Sequence, residues 1–312
     1  MTTSAPDRAR PPLDTTFERD LDHLLRCPLC IGPLDRSGDK VACPSCSESF
    51  AVIDEQFDLR PNAPIRRTAT FTVGAPPMTD AKILVDDLGQ GRGIDVSAEA
   101  IAAADLAFGN RLSTSLASHL EVRSGDLVLD LGCGAGQLGD LLAPHGIRTI
   151  GVDAFGDAPV LVDGHVLPFA DETFDGIVTL AVLEHVRCPH RFMQEAARVL
   201  RPGKTIIGSS AFLEVFHMES HFHTTSRGIR AVLEDAGFED IRITPTPNWD
   251  LGAVITDMGY LPVRGPLHTA LRWAMVRGHR ALWRFRRSDS ALGRRATYAA
   301  GFQFVATKPG AA

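Results

Sequence analysis

The chain has 312 residues, 44% of them hydrophobic, and a formal charge of −6 at pH 7. That is enough apolar material for one large domain and a smaller companion. The negative balance argues against a nucleic-acid footprint over the whole surface, though not against a local one. No apolar run reaches the length of a membrane span.

The first residues, MTTSAPDRARPP, hold no apolar signal-peptide core, and residues 1–22 read as a disordered tail. Without an export signal the expected setting is cytoplasmic and reducing, so paired cysteines read as metal ligands rather than disulfides. Residues 23–61 carry two such pairs. Cys27-Pro-Leu-Cys30 and Cys43-Pro-Ser-Cys46 are separated by twelve residues. Two CxxC turns present four thiolates tetrahedrally, which suits a closed structural zinc site, with rubredoxin-like iron as the minor alternative. A unit this small would draw much of its folding free energy from the metal. The segment LLRCPLCIGPLDRSGDKVACPSCSESFAVIDEQFDLRP resembles the small zinc-ribbon proteins that activate tRNA and protein methyltransferases. That resemblance implies a docking or stabilising module beside a methyltransferase.

Residues 62–100, rich in Pro, Thr and Gly at their start, read as a linker that partly packs. From Ile101 to the end, apolar strands alternate with amphipathic helices. DLVLDL, RTIGVDA, DGIVTLAV, KTIIGSS, EDIRITPT and AAGFQFVATK read as strands, and RFMQEAARVLRP and SRGIRAVLEDAGF as helices. The pattern predicts an α/β, doubly wound, mostly parallel sheet.

Within VLDLGCGAGQLG two glycine patterns overlap. Gly132, Gly134 and Gly136 give G-x-G-x-G, and Gly134, Gly136 and Gly139 give the G-x-G-x-x-G of a dinucleotide site. Both let backbone approach a ligand at a strand-to-helix turn, and both expect an acid after the next strand, here Asp153. Asp130, just before the turn, discriminates. A carboxylate there repels a pyrophosphate and attracts a cation. S-adenosylmethionine carries an ammonium and a sulfonium and no phosphate, so the anionic entrance favours it over NAD.

VLDLGCGAGQLG, GVDAF, DGHVLPFADETFDGIV, LEHV and RVLRPGKTIIGSS together resemble, in order, the motifs of class I S-adenosylmethionine-dependent methyltransferases. The resemblance spans residues 110–312 and implies a Rossmann-like sheet of seven strands. It implies that Gly132, Cys133, Gly134 and Gly136 border the methionine moiety and Asp130 its positive charge. Asp153, with Ala154, would hold the ribose, and Asp163, Gly164 and His165 would lie against adenine. Leu180 and Ala181 would border the transferred methyl. Turn formation is the plainer role for Asp130 and Asp163. Cys133 and Cys188 read as buried small residues. Only nine residues separate Asp153 from Asp163, so the usual second crossover helix is missing. A subgroup found among glycan and surface-polymer genes shares this shortened link and the LPF that follows.

FHMESHFHTTSRGI sets His217, His221 and His223 after the fifth strand, at the sheet edge where ligands enter. Three readings stand: a base or substrate contact at His217 or His221, loop packing with Thr225 or Ser226 as helix cap, or a second metal site with Glu214 and Glu219. His185 lies either at the active-site rim or as a helix cap. Residues 249–295 form an inserted basic helical segment in which Asp289 is the only acid between Gly265 and Arg295. Leu267, Leu271, Met275, Leu282 and Phe285 recur near helical spacing, so one face is expected to pack on the domain. Its arginines read as a solvated face or as a binder of a nucleotide- or lipid-linked sugar, a phospholipid surface or RNA.

The expected function is O-methylation of a small-molecule or glycan-type acceptor, with an anionic acceptor in view. One rival is an RNA methyltransferase, although TLAVLEHV lacks the Asn/Asp-Pro-Pro-aromatic motif used on base amino groups. The other is a non-catalytic binding subunit with the same fold.

Overall fold

The computed structural model describes residues 21, 23–73, 84–104, 112–134, 136–217, 219–257, 265–285 and 290–310. The predicted tail therefore lies, except for Leu21, outside the described residues.

Four short strands open the chain: β1 (Asp35–Ser37), β2 (Lys40–Ala42), β3 (Ser49–Ile53) and β4 (Gln56–Asp58). Short helices α1 (Ala98–Ala103) and α2 (Thr114–Ala117) follow, capped by Ser97 and Ser113. Then come β5 (Leu127–Leu131), α3 (Gln137–Leu142), β6 (Arg148–Asp153), β7 (Val160–Leu161), β8 (Phe174–Leu180), α4 (Pro189–Val199) and β9 (Leu200–Ala211). The last elements are α5 (Ser226–Asp235), β10 (Glu239–Pro245), α6 (Leu251–Asp257), α7 (Pro266–Leu282), α8 (Ala291–Thr297) and β11 (Gly301–Thr307).

The eleven strands among the described residues form one sheet in the order β1-β2-β3-β4-β7-β6-β5-β8-β9-β11-β10. From β7 to β9 neighbours run parallel, while β11 is antiparallel to both β9 and β10. The expected seven strands are present. The expectation of a seven-stranded sheet with a separate ribbon is corrected: β1 to β4 form an antiparallel meander whose last strand pairs parallel with β7.

The physical reason lies in the short link. Only the six residues 154–159 join β6 to β7. A parallel connection normally takes a dozen residues and a helix. Here β7 is left as a two-residue strand whose outer edge would expose unpaired backbone groups. β4 covers that edge, with Phe57 N–H donating to Pro159 O (3.1 Å) and Leu59 N–H to Leu161 O (2.9 Å). Arg26 N–H donates to Pro168 O (2.8 Å), and Leu25 bridges Phe169, so the LPF segment is gripped as well. Leu21, Leu25, Phe57 and Leu59 are buried in the same apolar core as Val160, Phe169 and Phe174.

Residues 63–73 lie along the helices of the main sheet. Gln194 Nε2 donates to Thr70 O (2.6 Å), and Thr72 N–H donates to Asp235 Oδ1 (2.8 Å). On the other side, Asp86 accepts from Ile243 N–H (2.9 Å).

One packing expectation fails. Of the stripe, Leu267, Met275, Leu282 and Phe285 are exposed and Leu271 is half-buried, so it is not the face packed on the domain. α7 instead turns Val276 and His279 against α6, where Gly252 permits close approach: a Cβ there would lie 3.2 Å from Val276 Cα. Arg280 Nε donates to Asp250 Oδ2 (2.8 Å), a buried acid, and this bond fixes the rotation of the helix.

Burying four large side chains of the cysteine-bearing unit contributes on the order of 6 kcal/mol, comparable with the whole stability of a typical domain. A chain lacking residues 1–61 is therefore expected to lose the cooperative thermal melt of the full protein. An unchanged melt, followed by circular dichroism, would mean that the ribbon is dispensable to the fold.

Candidate functional site

The site assembles at the carboxyl ends of β5, β6, β8 and β9. In β5 the alternation sends Leu127, Leu129 and Leu131 to one core and Val128 to the other, so Asp130 points to the Val128 side among α2 and α3 residues. It is only 7% exposed. Burial, aided by the nearby charge of Asp153, pushes its carboxyl up to about 7. The free protein thus holds this group between its neutral and ionised forms at neutral pH, and a cation placed beside it would favour the ionised one.

The turn after β5 separates the two glycine readings. Gly132, Gly134 and Gly136 all have positive φ (84°, 53° and 79°), and a Cβ on Gly132 would meet Val182 Cγ2 at 2.2 Å. Gly139 has no positive φ, lies inside α3, and a Cβ there meets nothing within 4 Å. The dinucleotide fingerprint uses its third glycine for close helix–strand packing. That requirement is absent here, so G-x-G-x-G is the working pattern.

Asp153 closes the turn. Its Oδ2 accepts from Gly134 N–H (2.9 Å) and its Oδ1 from Phe155 N–H (3.2 Å). Cys133 N–H donates to Val152 O (3.0 Å), and its side chain is buried with Ala158 and Leu161. The loop after Asp153 is held from the ribbon. Arg60 Nη1 donates to Ala154 O (3.1 Å), and Gln56 Nε2 donates to Gly156 O (3.0 Å) and Ala158 O (2.8 Å). Phe155, which sequence reasoning passed over, is 75% exposed in this loop and offers an open ring face beside Asp153.

Asp163, Gly164 and His165 form a fixed turn. His165 Nδ1 bonds Asp163 Oδ1 (2.6 Å), and His165 Nε2 accepts from Cys188 N–H (3.0 Å), which sets the Nδ1–H tautomer. The His165 ring holds the Asp163 carboxyl below the usual carboxylate range. A Cβ on Gly164 would strike Phe192. Buried Glu195 anchors the following loop through Leu167 N–H (2.8 Å) and ion pairs with Arg191 and Arg198.

β8 ends at Leu180, buried, and Ala181, whose φ of +57° is uncommon for a residue with a side chain. The next turn brings Glu184 and His185 toward His217, with one ligand atom from each within 4.8 Å of the others. The His185 and His217 rings are 5.3 Å apart, edge to face. His217 Nδ1 bonds Val215 O (2.8 Å), and Nε2 lies 3.9 Å from Glu214 Oε2. His223 joins this group, its ring 5.8 Å from that of His217, whereas His221 is exposed. Thr225 caps α5 by accepting from Gly228 N–H (3.1 Å). α4 begins at Pro189, and its N-cap residue, Cys188, makes no side-chain capping bond. Glu214 Oε1 also accepts from Trp249 Nε1 (2.6 Å). Behind Trp249 opens a cavity of about 310 Å³ lined by Thr246, Asn248, Arg280, Trp283 and Arg295.

The cysteines lie as the spacing predicts. Cys27 and Cys46 Sγ are 3.6 Å apart, and Cys30 and Cys43 Sγ are 3.5 Å apart. These separations are too long for a disulfide and near the ~3.8 Å edge of a tetrahedron with 2.3 Å zinc–sulfur bonds.

Residues 129–208, from β5 into β9, match the family model described as a methyltransferase domain. Over this stretch the chain is similar to methyltransferase domains. A probable S-adenosylmethionine-dependent methyltransferase of Mycolicibacterium smegmatis is 34% identical over 137 residues, covering 37% of this chain and 53% of that protein. The O-methyltransferase resE of Aspergillus sclerotiorum is 26% identical over 165 residues, covering 43% and 62%. The chain thus spans less than two thirds of the length of either relative. Among solved structures, an S-adenosylmethionine-dependent methyltransferase from Archaeoglobus fulgidus superposes with a TM-score of 0.43 at 17% identity, covering 68% of this chain and 95% of that one.

Replacing Gly132 by Ala is expected to cost about 1–3 kcal/mol in denaturant unfolding, from its backbone conformation and the Val182 contact. Gly139→Ala should instead gain up to about 1 kcal/mol. Equal effects at the two positions would restore the dinucleotide reading.

Proposed function

We propose that the protein is an S-adenosylmethionine-dependent methyltransferase that modifies a hydroxyl of a small-molecule or glycan-type acceptor. The observation that carries this reading is Asp130, a buried acid facing a turn built on Gly132, Gly134 and Gly136. Its charge suits a cationic donor, and nothing in the turn calls for the third dinucleotide glycine. Gly132 and Gly134 would lie against the methionine end, and Asp153 against the ribose hydroxyls. Phe155 and Asp163 would flank adenine. Bound there, the donor would supply an electrophilic methyl on a positively charged sulfur.

The chain itself supplies the base. A carbonyl only accepts, so the bond to Val215 O puts the His217 proton on Nδ1 and leaves the Nε2 lone pair available. Nε2 takes the acceptor proton, and the Glu214 carboxylate steadies the imidazolium that results. Trp249 holds Glu214 in place, and the cavity behind it, where Arg295 stands beside the Arg280–Asp250 pair, gives a polar part of the acceptor room. The sulfur geometry at Cys27, Cys30, Cys43 and Cys46 supports one structural zinc, with no open position for chemistry.

Donor affinity should be highest above pH 7 and fall as the pH drops through 7, by up to about tenfold per unit, because protonating Asp130 removes the attraction. Asp130→Asn should bind weakly and flatten that profile; calorimetry showing equal affinity at acid and alkaline pH in the wild type would refute the role. His217→Ala should lower turnover by about a hundredfold or more while leaving donor affinity intact. Unchanged turnover would return this ring to loop structure.

A further inference from the structure

We propose that the outward face of α7 docks the protein on an anionic lipid bilayer. The helix runs from Pro266 to Leu282 and continues into a turn through Phe285. Its inner side is spent on α6, through Val276, His279 and the Arg280–Asp250 bond. Its outer side repeats Leu267, Ala270, Ala274 and Ala281 at three-, four- and seven-residue spacing, with Leu282 next to the last of them, all exposed. Leu267, Trp273, Leu282 and Phe285 are 67, 59, 63 and 85% exposed. So much large apolar surface on one short helix marks an interaction site.

Charge decides the occupant. From Gly265 to Phe285 the sequence holds four arginines and no acid, in a chain whose net charge is −6. Exposed Arg277 lies over the Trp273 ring at 4.4 Å, setting a cation beside an amphipathic aromatic of the kind that favours the headgroup layer. A bilayer with anionic headgroups satisfies both halves of this face: hydrocarbon takes the leucines and Phe285, and phosphates take exposed Arg277, while Arg280 stays with Asp250. RNA would meet the arginines and leave Leu267, Leu282 and Phe285 in water. A second copy would bring two acid-free arginine faces together, because a twofold contact apposes the same patch. Among the described residues no helix is long and apolar enough to cross a membrane, so the contact is one of lying in the interface plane. Arg280 and Trp283 also line the cavity behind Trp249, so docking through α7 holds that cavity beside the membrane surface.

The test uses the full chain with phosphatidylcholine vesicles, with and without phosphatidylglycerol. Wild-type protein should sediment with the anionic vesicles and show a blue shift in tryptophan emission that Trp273→Phe removes. Pure phosphatidylcholine should bind it far less. Leu267→Glu/Leu282→Glu alters only exposed positions, should melt as the wild type does, and should bind the anionic vesicles about tenfold or more weakly. Absence of sedimentation, or equal binding by the double variant, overturns the proposal. So does a wild-type dimer in light scattering that the double variant dissociates, or RNA retention lost in that variant without any vesicle binding.

Discussion

The parallel pairing of β4 with β7 is the contact on which the rest of the molecule depends. A six-residue link after β6 leaves a two-residue strand at what would be the sheet's edge. Such an edge offers little area to pack and unsatisfied backbone groups to solvent. The cysteine-bearing meander supplies the missing partner, and its apolar residues merge with the core beneath β7. The same unit reaches into the candidate donor site. Arg60 and Gln56 hold the carbonyls of Ala154, Gly156 and Ala158, the residues that follow Asp153. The cysteine-bearing unit thus borders the candidate site as well as the sheet edge.

The electrostatics of the site follow from burial. Asp130 stands at the end of a fully buried strand, and its neighbour on β6 is another acid, Asp153. Two neighbouring acids, one of them deeply buried, make a region where a cation is favourable. Opposite them, the Ala181 backbone, the Glu184–His185 turn and the His217 loop converge from β8 and β9. The glycine turn and the histidine cluster thus rise from neighbouring strands of one sheet.

Much of this was legible in the residues. Alternating apolar runs located the strands, and the glycines between two acids located a strand-to-helix turn, because those patterns are local. What failed to show was set by distant partners. Nothing in QFDLRP announces that Gln56 and Arg60 bond a loop near residue 156, since those bonds depend on β4 finding β7. The apolar stripe of α7 suggested a buried face, but Gly252 and Asp250 turned the helix the other way. Phe155 was passed over because an aromatic in a loop looks ordinary until its exposure is known. Spacing put His217, His221 and His185 forward as candidates, and of these His185 and His217 lie ring to ring. That His223 rather than His221 faces His217 is a property of the loop's path.

The central claim is that a cationic-donor site is built partly from the ribbon, and calorimetric titration of S-adenosylhomocysteine tests it most directly. Wild-type protein should bind one equivalent and give no heat with NAD. A Gln56→Ala/Arg60→Ala variant with an unchanged melt should bind it about tenfold more weakly, the worth of a few hydrogen bonds. Uptake of NAD in place of the homocysteine compound, or equal affinity in the two proteins, would contradict the account.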